Sequence, residues 1–485
     1  MNRFSIRAAF AAGLITTLLA VPAAEAIGYG DTQPRPMGMA GTYTAMARGV
    51  ESLYWNPANL ALKSSPKGAL PVALGLSYTL ENNSWSVSDY NDFNGSVIDE
   101  AMKDNLLGDL DGGGLQFNTD VGLFLPLVGG AAFPMPWGLS SAMSFSVTLG
   151  AEGQIPGDMI EFLLRGNQFE RERIAEGRDP NYDIAEWDGE AWALGVFSWG
   201  FAKPWMPKLA EPYFSEFAVG TTFKVMGGGL GEVIDSDGGF VTRVGGSQLN
   251  ASGVARSGIG IGFGLDFGVT GVTKDGRTTV GLSMVNLLDA MNWSIEAQQN
   301  SVFVIADGIT VSSFTGADGF ENIFDNPREV TVNGVLDTVS RDEVDQATWE
   351  SGDAIFREEQ EISSFGRSLP AMLRLGVAHS PFPRLTVAAN YDQAFSSGFG
   401  ISTTPRVSLG GEYRLVNWFP LRFGLSGGGR AGRSSALGFA FGPFSVKRFS
   451  MLLLETSAVN RGGFFPGTSQ GFGYSINFLR MSIKR

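Results

Sequence analysis

The stretch "GIGIGFGLDFGVT", Gly258–Thr270, puts Ile259, Ile261, Phe263, Leu265, Phe267 and Val269 on one face of an extended chain. Gly258, Gly260, Gly262, Gly264, Asp266 and Gly268 fall on the other. That is a period of two, the pattern of a strand with unlike faces. One face is wholly large and apolar; the other is glycine with a single carboxylate. A strand of a soluble sandwich also alternates, but its polar face meets water and usually carries Lys, Glu and Thr. Here the pattern suits a strand with lipid on one side and a confined interior of small and polar residues on the other.

The same alternation recurs along the chain. In "LQFNTDVGLFL" (115–125), Leu115, Phe117, Val121, Leu123 and Leu125 oppose Gln116, Asn118, Asp120 and Gly122. "LTVAANYD" (385–392) and "GFGYSINF" (471–478) repeat it. Strands are expected near 72–81, 115–125, 138–149, 191–202, 215–227, 258–271, 278–287, 371–380, 384–394, 405–415, 420–427, 434–442, 448–457 and 470–479. This is an all-β chain: a transmembrane antiparallel barrel of about fourteen strands, an even number as in bacterial single-chain barrels. The gaps agree. The four longest, 82–114, 150–190, 228–257 and 288–370, all fall on one side, assigned to the cell exterior. Tight turns such as "TKDG" (273–276) and "PFPR" (381–384) fall on the other.

Composition removes several function classes. The chain has 485 residues, 66 Gly, 36 Phe, no Cys and one His, His379. Without Cys there are no disulfides, thiolate metal sites or cysteine nucleophiles. One His argues against a Ser-His-Asp hydrolase or a multi-His metal centre, so no enzyme, cofactor or metal is expected. A net charge of -14 argues against nucleic acid as a partner. At the start, Arg3 and Arg7 precede an apolar run, Ala8 to Ala20, too short to span a bilayer. Ala24-Glu25-Ala26 follows as a small-x-small cleavage site. Residues 1–26 therefore read as a secretory signal peptide, with a retained anchor helix as the alternative.

Between that signal and the first strand lies "GMAGTYTAMARGVESLYWNPANLAL", Gly38–Leu62. It resembles the amino-terminal segment of the FadL/TodX outer-membrane channels and of the related PorV and TraF-like proteins. The matching residues are Gly38, Ala40, Gly41, Trp55, Asn56, Pro57 and Ala58. "SDYNDFNG" (88–95), "GFGLDFGV" (262–269), "NLLDAMNW" (286–293) and "GGEYRL" (410–415) look more like the PorV/TraF-like branch. The resemblance implies three divisions: signal peptide 1–26, an N-terminal hatch or plug 27–68 inside the lumen, and the barrel 69–485. The residues fit that picture. Gly38 to Val50 is rich in small side chains, as a short helix packed on a small-residue wall needs. Pro57 keeps Asn56 out of the helical region and makes a turn. Leu53, Trp55, Leu60 and Leu62 need burial. A periplasmic flap is the alternative. One departure stands out: barrels of this kind commonly end on an aromatic residue, whereas this chain ends "LRMSIKR".

The face assignment puts Asp120, Lys224, Asp266, Arg374, Asp392, Arg406, Glu412, Arg414 and Arg422 inside. The four arginines lie within a run of four neighbouring strands. Either they line a pore or hold an anionic head group, or they pair with Asp392 and Glu412 and bind the hatch; pairing is the favoured reading. Outside the membrane, 96–107 and 158–165 read as amphipathic helices. Ile98, Met102 and Leu106 with Ile160 and Leu163 would form an apolar platform for a hydrophobic ligand, or simply pack on each other. The 288–370 loop holds sixteen Asp and Glu against four Arg; it suits divalent cations at a lipopolysaccharide surface or, more ordinarily, a solvated face.

The expected function is passive uptake of a small hydrophobic or amphipathic solute across the outer membrane of a Gram-negative-type envelope. The alternative is a PorV-like docking or assembly protein that binds exported proteins without transporting solutes. Expected partners are outer-membrane lipid and lipopolysaccharide, with a hydrophobic small molecule or an exported protein according to the reading.

Overall fold

The computed structural model describes residues 32–66, 68–70, 74–94, 98–110, 114–124, 130–165, 170–175, 177–178, 181–243, 246–309, 328–330 and 354–483. Residues 1–26, expected to be a signal peptide, and much of the acidic loop, including "RDEVDQATWE" (341–350), lie outside the described residues. Among those described, fourteen strands close into one antiparallel ring. In chain order they are β1 (Leu74–Asn82), β2 (Leu115–Phe124), β3 (Ser140–Ile155), β4 (Asp188–Pro204), β5 (Phe214–Arg243), β6 (Gly246–Thr273) and β7 (Thr278–Ile309). β8 (Met372–Phe382), β9 (Leu385–Ala394), β10 (Arg406–Val416), β11 (Phe419–Gly428), β12 (Arg433–Phe441), β13 (Phe449–Arg461) and β14 (Gly471–Ile483) complete it. Each pairs with its neighbours in sequence, and β14 returns to β1 through Leu76↔Ile476 and Tyr78↔Tyr474. Each of the fourteen expected strands is present.

Closure explains the alternation. With no free edge, every backbone group in the hydrocarbon finds a partner, so a chain can cross lipid without a helix; none of the described helices is long and apolar enough to do so. On β6, Ile259, Ile261, Phe263 and Phe267 are exposed while Gly260, Gly262, Gly264, Asp266 and Gly268 are buried. Leu76, Phe223, Val377, Leu409, Leu425, Leu437 and Phe472 continue the outward apolar belt on other strands.

Four expectations are corrected. Residues 228–257 are not an irregular loop: β5 runs to Arg243, β6 starts at Gly246, and Val233, Gly239 and Thr242 stay paired with β6 through a bulge after Val233. β7 likewise runs to Ile309 and pairs beyond the barrel with Ala354–Glu361. Above the lipid a strand needs no large apolar face, so the hydropathy pattern stops where the hydrocarbon stops while the ladder goes on. β14 continues past residue 479 because Leu479 takes a left-handed conformation (φ 48°). This resets the faces, sends Arg480 inward and leaves Met481 and Ile483 outward. Finally, Gly38–Val50 is not a helix. The helix is Pro34–Met37, and Ala40 (φ 48°) and Gly41 (φ 79°) then turn the chain, which a continuing helix does not allow.

Candidate functional site

Residues 32–66 touch inward-facing positions all round the ring. A Cβ at Gly122 of β2 would crowd Thr32, and one at Gly200 of β4 would overlap Leu53. At Gly376 of β8 it would meet Thr44, at Gly424 of β11 the backbone of Met39, and at Gly438 of β12 that of Gly38. Wall glycines let the two backbones approach where any side chain would hold them apart. Asn56 makes the best-defined contact. It is extended (φ -155°, ψ 103°), as a residue before proline should be, and its Oδ1 accepts from Ala58 N at 3.1 Å. Its Nδ2 donates to the carbonyls of Val269 (2.9 Å) and Leu282 (3.3 Å), a facing pair on β6 and β7. Gly268 and Gly281 lie directly beneath it. Ser283 Oγ donates to Trp55 O at 2.6 Å, Arg374 to Tyr54 O at 3.1 Å and Arg406 to Ala40 O at 2.6 Å.

Opposite Asn56, the segment meets a buried charge cluster on β10, β11, β13 and β14. Arg422 lies 3.0 Å from Glu412 and 2.7 Å from Glu455. Arg35 is 3.3 Å from Glu455 and 3.9 Å from Glu412. Arg480 lies 2.5 Å from Glu51, which also accepts from Tyr43 Oη at 2.6 Å. Three cations (Arg35, Arg422, Arg480) face three carboxylates (Glu51, Glu412, Glu455), so the cluster is neutral as a whole. Burial opposes the Glu51 charge, yet Arg480 and Arg35 outweigh it and hold its pKa below the usual carboxylate value. Burial pushes the Tyr43 phenol up, keeping it a neutral donor.

The remaining sites sort by position. Arg374 lies 3.7 Å from Asp392, with its guanidinium 4.2 Å over the Trp55 ring. Asp266 lies 2.8 Å from Lys224, and it accepts from the backbone of Asn286 at 2.7 Å. Arg414 is half exposed at the turn end, 3.3 Å from Glu412. The lumen arginines are thus set among carboxylates and segment carbonyls. Of the platform residues, Leu106 and Ile160 are buried, Met102 is half-buried, and Ile98 and Leu163 are exposed. The expected helix over 96–107 starts only at Glu100, with Asp99 as its cap, so Ile98 lies ahead of it; Glu100–Gly108 and Gly157–Arg165 are linked by Asp104 and Arg165. Asp158 lies inside the first turn, and its carboxylate takes Arg173 and the Asp183 amide.

The sequence reading missed an apolar compartment. Trp192, Leu194 and Val196 of β4, Met226 and Leu230 of β5, and Met291 and Trp293 of β7 point inward and are buried. They pack with Trp55 and Tyr43 of the segment and with Phe365 and Phe399 of the loops. The lumen wall here is aromatic and methionine-rich instead of small and polar. The available signal was β4 itself, whose sequence is apolar on both faces. Breaking the charge cluster tests its contribution to stability. Arg422→Met takes the closest buried cation from Glu455 and leaves Glu412 and Glu455 to share Arg35, and losing one partner of a buried pair costs about 3–5 kcal/mol. The expected result is heat-modified migration at a clearly lower temperature, and unchanged migration would show that water solvates the cluster.

Comparison with known proteins adds the following. A family described as of unknown function (DUF5723) matches residues 57–256, less than half of the chain. Among solved structures, the chain is similar to the toluene transporter TbuX of Ralstonia pickettii, at 14% identity, over 93% of this chain and 98% of that one, with a TM-score of 0.44. It is similar to the Pseudomonas putida toluene transporter TodX at 13% identity, over 94% and 98%, with a TM-score of 0.48. A Pseudomonas aeruginosa FadL homologue gives 11%, 94%, 98% and 0.44. No curated protein matches. The barrel rests on its own strand pairings, independently of these likenesses.

Proposed function

We propose that the chain is a passive outer-membrane channel for a small hydrophobic or amphipathic solute, and that residues 32–66 are its plug. The observation that carries this reading is the aromatic compartment between the segment and the outer loops. A fourteen-stranded barrel is too wide for its own wall side chains to fill. A merely structural filling could be polar throughout, as the neutral charge cluster is on the opposite wall. Trp55, Trp192, Trp293 and Met291 instead form a buried apolar cluster inside the barrel, an environment that favours solutes that leave water readily. No chemical step is assigned to these residues.

The test is flux of a fluorescent apolar probe into liposomes carrying the purified protein. Flux above protein-free liposomes is expected. Asn56→Ala with Pro57→Ala should raise leakage of a small polar dye modestly, because the contact with β6 and β7 is lost while the apolar mass stays. Flux equal to the protein-free control would overturn the channel reading. A docking role remains the second reading, favoured by the sheet of β5, β6, β7 and Ala354–Glu361 that stands beyond the barrel. It predicts a co-purifying exported protein and no flux.

A further inference from the structure

The loop between β9 and β10 folds into the molecule. Gly398, Phe399 and Gly400 have φ of 124°, 52° and 75°, a run of left-handed geometry that a phenylalanine adopts only when its surroundings hold it there. Gly398 and Ile401 exchange backbone hydrogen bonds of 3.1 and 3.0 Å, closing a tight turn with Phe399 at its tip. The ring is fully buried. It meets Trp192 edge-on at 5.7 Å and lies nearly parallel to Trp293 at 6.5 Å.

A second set of contacts holds the turn. Phe399 N donates to Glu190 Oε1 at 2.6 Å, and Arg367 Nη2 to Glu190 Oε2 at 2.5 Å. Arg367 also lies 3.4 Å from Glu232, which takes Arg256 at 2.6 Å. The Arg367 guanidinium sits 5.7 Å over the Phe399 ring. Glu190 therefore binds both the main chain of the turn and the cation that covers its ring. A side chain at Gly398 would overlap Arg367. On the far side of the turn, Gly400 and Ile401 line a cavity of about 80 Å³ that also touches the charged side chains of Glu81, Arg374, Asp392 and Arg406. The turn is thus a partition between a charged cavity and an aromatic compartment.

We propose that the space between Trp192 and Trp293 is a binding slot for a flat apolar ring, that Phe399 occupies it as an internal stand-in, and that Glu190 is the latch keeping the turn closed. The inference deepens the channel reading by naming the regulation of its apolar compartment. It rests on that reading for its purpose, and its test is separate. A slot filled by the protein's own side chain shows an affinity reduced by the fraction of time it stands empty.

Two measurements on the full-length protein in detergent test it. Indole binding by titration calorimetry should tighten about tenfold or more in Phe399→Ala, because the competing ring is gone. Adding Trp293→Ala should abolish the gain. The chain has no Cys, so Ile401→Cys is a clean reporter. Its labelling by a soluble maleimide should be slow, and about tenfold faster when Glu190→Ala releases the turn. Heat-modified migration checks that each variant is folded. Unchanged indole affinity in folded Phe399→Ala overturns the slot, and unchanged labelling overturns the latch. Tighter binding without liposome flux would uphold the slot while the channel reading fails.

Discussion

Deletion of residues 27–62 is expected to leave a folded, heat-modifiable barrel whose single-channel conductance in planar bilayers rises on the order of tenfold or more, since barrels of this width enclose an aqueous channel unless something fills them. Folding should survive because the fourteen-strand ring closes through its own ladders. Arg422 still pairs with both Glu412 and Glu455 across β10, β11 and β13, and the carboxylate charge that Arg35 balanced is left open to water. Arg480 loses Glu51 but gains water. What disappears is the segment that reaches from Gly200 to Gly438 across the interior. Unchanged conductance would mean that the outer loops form the seal and that the plug reading is wrong.

The second large effect lies on the opposite face of the wall. Leu265→Arg should block membrane insertion, while Gly264→Ser inserts normally. Leu265 faces Phe223 and Leu288 on the outward side of β6. A mid-bilayer Arg there costs about 2–4 kcal/mol. The neighbouring Gly264 points inward, and a Cβ on it would meet Lys224 and Met226 at 3.4 Å, an ordinary contact. The pair is read as heat-modifiable protein in the membrane fraction. Equal insertion of both variants would mean that the alternation does not encode a lipid face. Gly268, four residues on, is a built-in contrast: a side chain there would overlap Asn56, so tolerance to Ser depends on what lies across the lumen.

The barrel was legible because its strands obey one strong local rule within the hydrocarbon. Ile259 to Val269 alternates because lipid and lumen demand opposite chemistry on successive residues. Outside the lipid that demand lapses, so the extensions of β5, β6 and β7 looked like loops. The interior was less legible because its partners are distant in sequence. Nothing near Glu51 announces Arg480, and nothing near Glu190 announces Phe399. Asn56 and Pro57 could be read as a turn, but their seat on Gly268 and Gly281 could not. Arg374, Asp392, Glu412 and Arg422 could be placed inside by parity. That Arg35 joins Glu412 and Glu455 depended on how a glycine-turned segment runs through three dimensions.

The unequal strand lengths give the rim a skyline. β5, β6 and β7 have 30, 28 and 32 residues, whereas β9, β10, β11 and β12 have 10, 11, 10 and 9. Crossing the bilayer takes about 9–11 tilted residues, so the short strands end near the headgroups while the long ones rise well above them. At about 3.4 Å per residue, the surplus is a parapet tens of ångströms high on one side only. On the channel reading proposed above, a solute gliding along the membrane would meet a screen from that side and an open threshold from the other. The threshold lies at the β9–β10 turn. The approach to the mouth is therefore set by azimuth as well as by chemistry.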